Sequence, residues 1–171
     1  MKRHEKHWAG LVHESAHVAA ILHYELGLEY VQLNPPTFWS PDPHGESYMS
    51  DYGVTEDELA EDPDAIIKTE PGARLVVCLV GASAQYRAIV EGGRSRWAAS
   101  RLARAYSEGD RALAARITQY SPWSWREAQQ EADNLVDYYW DDINRLAVAL
   151  RDAGGYLDGD EAASVFGGAL V

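Results

Sequence analysis

Two histidines stand four positions apart in His13-Glu14-Ser15-Ala16-His17, inside an apolar-periodic run over residues 8–26. The period predicts a helix, with Leu11, Val12, Ala16, Ala19, Ala20 and Leu22 around the polar residues. On that helix the two imidazoles lie about 40° apart around the axis and about one turn along it, so both reach one point. Small Ala16, Ala19 and Ala20 permit another helix to pack closely around that point.

Two imidazoles held in this way suit a metal ion, with zinc as the natural occupant. Zinc accepts neutral imidazole nitrogens in a tetrahedral site, and a catalytic site keeps one position for water. Glu14 is expected beside that water rather than on the metal, as the general base for attack on a carbonyl.

The chain has 171 residues, 46% of them hydrophobic, which predicts a single domain, 1–171, with a sizeable core. A net charge of -12 argues against a nucleic-acid partner, because phosphate binding needs clustered Lys and Arg. Cys78 is the sole cysteine and sits in an apolar run, so an inert buried thiol and a reducing, cytoplasmic setting are expected. The basic residues 1–7 precede His13, Glu14 and His17 rather than the apolar core of a signal peptide. No stretch is expected to reach the roughly 18 apolar residues of a membrane span. No repeat or dividing linker is evident.

In chain order, residues 1–7 form a charged lead-in, and His4 and His7 receive no metal role. Gly27 is expected to end the first helix as its C′ glycine, and His23 to point away from the metal. Residues 28–34 read as a strand with Val31 and Leu33 on one face, and a second strand lies within 45–52. Between them a loop over 35–44 holds four prolines, with His44 assigned to solvent. The acidic stretch 55–64 reads as a solvated loop or short exposed helix. A long helix is predicted over 69–90, where Gly81 implies close approach of the motif helix. A basic loop over 92–96 and a helix over 97–106 follow.

Residues 107–110 break the pattern and 111–120 resume it, which places Asp110 at or near a helix start. There it serves either as the third metal ligand or, like Ser107, as a cap. Ser121-Pro122 predicts a final long helix to about Asp152, with Val136, Tyr139, Ile143, Leu146, Val148 and Leu150 as its apolar contacts. Trp123, Trp125, Tyr138, Tyr139 and Trp140 read as core, and a short helix over 160–166 closes the chain.

Several segments together resemble the peptidase domain of FtsH-type zinc proteases. His13-Glu14-Ser15-Ala16-His17-Val18 is similar to that family's HEAGHA, and Leu79-Val80-Gly81-Ala82-Ser83-Ala84-Gln85 to its LAGRAAE helix. Gly109-Asp110-Arg111-Ala112-Leu113 resembles the segment that carries its third zinc ligand, and Leu157-Asp158-Gly159-Asp160-Glu161 its L-x-G-x-E end. The resemblance implies a mainly α, helical zincin-like domain with a small β-ribbon beside the metal, and it selects Asp110 as third ligand. Ser15, Ala16 and Gln85 depart from the family pattern, and no ATPase phosphate-binding motif occurs in the chain.

The expected function is a zinc-dependent endopeptidase acting on flexible or unfolded polypeptides. His13, His17 and Asp110 would hold Zn²⁺, Glu14 would be the base, and substrate would add to the edge of the 28–34 strand. A homo-oligomer or a separate ATPase partner is compatible with this. Two alternatives stand beside it: a non-catalytic or regulatory module that keeps the fold, and an ImmA/IrrE-type regulatory peptidase with Glu131 as third ligand.

Overall fold

The computed structural model describes residues 3–34, 44–49 and 56–167. It is mainly helical, with a small three-stranded antiparallel sheet in the order β2-β1-β3. The proline-rich stretch 35–43 lies outside the described residues, as does the side chain of His44, the first residue of β2.

The motif helix α1 spans Arg3–His23, starting before the apolar run. Residues 9–21 are buried without interruption, because α1 is covered by α4 (Pro71–Glu91), by α8 (Trp140–Asp152) and by β1 (Leu28–Asn34) with β2 (His44–Met49). Its end differs from the expectation. Glu25, at φ 55, takes the left-handed C′ position, while the amides of Glu25 and Leu26 donate to Leu22 and Ile21 carbonyls at 3.2 and 2.9 Å. This double closure turns the chain two residues before Gly27 and buries Leu26.

Strand β1 has the expected bounds, and Val31 and Leu33 face inward. It is the central strand, paired with β2 on one side and with β3 (Tyr156–Asp158) on the other. The expected docking edge is therefore already occupied over Tyr30–Gln32, and the expected ribbon is a three-stranded sheet. Register places Gly45 opposite Leu33 and Ser47 opposite Val31, so these two β2 residues share the inward face. On the outer face Tyr30 stacks between Tyr48 and Tyr156.

Helix α4 runs through the core from Leu75 to Gly81 and packs on α1, α5 (Arg96–Tyr106), α6 (Glu108–Ile117) and α7 (Trp125–Tyr138). With a mean hydropathy of 1.3 it is long and apolar enough to cross a membrane by length and composition alone, contrary to expectation. Its burial against four helices accounts for that apolarity. The acidic stretch forms α2 (Glu56–Glu61), followed by the short α3 (Ala65–Lys68). Asp62 pairs with Lys68, and Asp64 with Arg116 and Tyr120.

The predicted final long helix is two helices. Ser124, not Ser121, begins α7 through a capping box with Glu127, while the Ser121 hydroxyl accepts from the Trp123 amide at 3.0 Å. The break between α7 and α8 falls at Tyr139, whose ring packs on Phe166 and whose hydroxyl meets His23 Nδ1 at 3.0 Å. Tyr138 is consequently turned outward, 79% exposed, and Val148 is also exposed; neither joins the core as expected. Helix α9 (Gly159–Gly167) packs on α8 and β1.

Candidate metal centre

His13 and His17 project from the buried middle of α1 toward α4 and α6. Their Nε2 atoms stand 3.0 Å apart, and Asp110 Oδ2 lies 3.0 Å from His13 Nε2 and 3.7 Å from His17 Nε2. Among the described residues this is the group of His, Cys, Asp and Glu side chains placed to hold a metal ion. Glu131, on α7, is not part of it and instead meets Asn134.

Local structure explains the placement of Asp110. It is the third residue of α6, and with Ala114 and Ile117 it forms an i, i+4, i+7 stripe facing the core. Neither residue proposed as a cap acts as one: the Ser107 hydroxyl donates to the Ala103 carbonyl at 2.9 Å, and Asp110 turns to the imidazoles.

The donor set fits a cation. His17 Nδ1 lies 2.8 Å from the Val77 carbonyl, which can only accept, so Nδ1 carries the proton and Nε2 of the neutral ring presents a lone pair. Two ring nitrogens and a carboxylate oxygen thus converge on one point, within reach of a single cation. Tetrahedral ligands about 2.0–2.1 Å from a zinc ion stand about 3.3–3.4 Å from one another, close to the separations present. Without a cation, a proton must fill that gap. Burial disfavours the His17 imidazolium, but the Asp110 and Glu14 carboxylates and the Val77 carbonyl outweigh it and raise its pKa to about 9. Burial pushes Asp110 upward, yet the two imidazoles hold it well below the usual carboxylate range.

Gly81 is the floor of the centre. A Cβ there would lie 2.6 Å from His17 Nε2 and 2.7 Å from His13 Nε2, so the close approach anticipated between helices is made by imidazoles against bare backbone. Gly45 does the same for Glu14, whose carboxylate an added Cβ would strike.

Glu14 lines a cavity of about 200 Å³ together with His13, Asp110, Gly45 and Gln85. The Ser47 hydroxyl donates to Glu14 Oε2 at 3.1 Å. Burial raises the Glu14 pKa, partly offset by the two imidazoles and by the Ser47 hydrogen bond. Ser47 and Gly45 were not singled out from sequence; their strand register against Val31 and Leu33 was the available signal. His23 is exposed and away from the centre, as expected. No protein-family model matches the chain, and no curated protein matches it.

Proposed function

We propose that this protein is a zinc-dependent endopeptidase of the FtsH type that hydrolyses flexible or unfolded polypeptides. The observation that carries this reading is Glu14, a buried carboxylate on the cavity wall beside the convergence of His13, His17 and Asp110. His13, His17 and Asp110 would hold the ion. Zinc bound there supplies Lewis acidity toward a carbonyl and brings the pKa of water to about 7.

The chain's own groups supply the proton transfers. Ser47 occupies Glu14 Oε2, which leaves Oε1 to take a proton as the water oxygen adds to the peptide carbonyl carbon. Glu14 then returns that proton to the departing amine nitrogen as the C–N bond breaks. Its raised pKa suits both halves of the exchange. Gly45, with no side chain, leaves the space that the carboxylate occupies.

The test is Glu14→Gln, which keeps the shape of the side chain and removes its basicity. Parent protein loaded with zinc is expected to cut an unstructured fluorogenic polypeptide, and Glu14→Gln to retain zinc while losing turnover by about a hundred-fold or more. A variant as active as the parent would exclude Glu14 as base. Iron in place of zinc would move the assignment toward oxygen chemistry, since two histidines and a carboxylate also suit that metal.

A further inference from the structure

Gln85 lines the cavity and has no task in the proton transfers above. Gln85 is 2% exposed, and among the described residues its Oε1 meets no hydrogen-bond partner. It stands one helical turn beyond Gly81 on α4, so the face that floors the imidazoles continues directly to its side chain. It lines the same cavity as His13, Glu14 and Asp110. Leaving a buried amide oxygen without a donor costs roughly 1–3 kcal/mol, and an apolar residue of the same size would avoid that cost. Retention of such a group beside a reactive centre calls for a donor that arrives from outside.

Resting on the peptidase reading, we propose that Gln85 is a substrate-binding residue whose carboxamide accepts a main-chain N–H of the polypeptide near the scissile bond. The chemistry selects this partner. A carboxamide is neutral, so unlike another carboxylate it adds no charge to a centre already holding Asp110 and Glu14. It offers an acceptor and donors in one plane, matching the N–H and C=O that every peptide unit presents. Recognition of main chain rather than side chain also suits a peptidase acting on unfolded segments of varied sequence. A cavity of about 200 Å³ has room for a peptide unit but not for a folded surface.

The experiment uses the zinc-loaded full chain and one unstructured fluorogenic peptide, with a series N-methylated at one backbone nitrogen at a time around the cleaved bond. Gln85→Met is expected to raise KM about ten-fold and, in a Glu14→Gln background, to raise the peptide Kd by a similar factor. Its zinc content should equal that of the parent and its melting temperature should not fall, since it removes an unpaired buried acceptor. At one position N-methylation should weaken binding about ten-fold in Glu14→Gln, and have no such effect when Gln85→Met is added.

A parent that cuts the peptide while Gln85→Met leaves KM, Kd and the N-methyl pattern unaltered would overturn the assignment and leave the peptidase reading intact. Should Gln85→Met fail to fold, equal binding of the plain and every N-methylated peptide by Glu14→Gln overturns it without that variant. A parent that neither cuts nor binds the peptide overturns both.

Discussion

His17 donates through Nδ1 to the Val77 carbonyl at 2.8 Å and presents Nε2 to His13 Nε2 at 3.0 Å. One ring thereby ties the middle of α4 to the convergence point on α1. The helix pair and the polar centre are one construction, and a change to either side should be felt by both.

Gly81→Ala tests this coupling. Alanine gains about 1 kcal/mol of helix propensity over glycine, but forcing a methyl within 2.6–2.8 Å of both imidazoles is overpacking that costs about 1–3 kcal/mol. The second effect is expected to win, lowering the thermal midpoint and weakening metal retention together. A variant that is more stable than the parent, as propensity alone requires, would contradict this placement of the imidazoles.

Metal uptake should depend on pH in a defined direction. Burial opposes the His17 imidazolium, but neighbouring Asp110 and Glu14 hold its pKa at about 9 in the metal-free protein. Because that value lies above the unfolded 6.5, the proton's contribution to stability is complete below about pH 6.5 and is lost as pH rises through about 9. A divalent cation must displace that proton, so its apparent affinity should climb from pH 7 to 9 and level off above. Calorimetric titration of zinc into metal-free protein, in buffers of different ionisation enthalpy, measures both the slope and the proton released. An affinity flat across this range would contradict the shared-proton picture.

Much of this arrangement is legible in the amino-acid sequence. The spacing of His13 and His17, the alternation of Val31 and Leu33, and the glycine at position 81 each state a local geometry that the fold preserves. Other features depend on partners distant in the chain. Residues 156–158 are too short to register as a strand, and β3 exists because β1 offers it an edge. The break at Tyr139 has no proline or glycine to announce it; it accompanies ring packing against His23 and Phe166. Glu25 adopts a left-handed backbone with Gly27 two residues away, since closure onto Ile21 decides which residue turns. At the centre, Asp110 was readable as either ligand or cap. The stripe it shares with Ala114 and Ile117 directs it inward once α6 is docked on α4.

Ser47→Ala should separate orientation of Glu14 from metal binding. Loss of the 3.1 Å hydrogen bond to Oε2 frees the carboxylate to rotate and is expected to lower kcat about ten-fold, with zinc content unchanged. Ser47→Thr keeps the hydroxyl and should recover most of that loss. Equal rates for Ala and the parent would remove Ser47 from the account.

Cys78 should be chemically silent in the folded protein. It is 5% exposed, and burial, with a further contribution from Asp110, pushes its thiol up to about 12. An aromatic disulfide reagent is expected to leave it unmodified in native buffer and to titrate one thiol per chain in denaturant. Rapid native labelling would place Cys78 outside the core.

The most direct test of the centre is zinc per chain, measured by elemental analysis after reconstitution and extensive dialysis, in the parent and in Asp110→Ala. About one zinc in the parent and clearly less in the variant is the expected result, because α6 supplies the third donor. No zinc in the parent, or equal retention in both, would contradict a centre built from His13, His17 and Asp110.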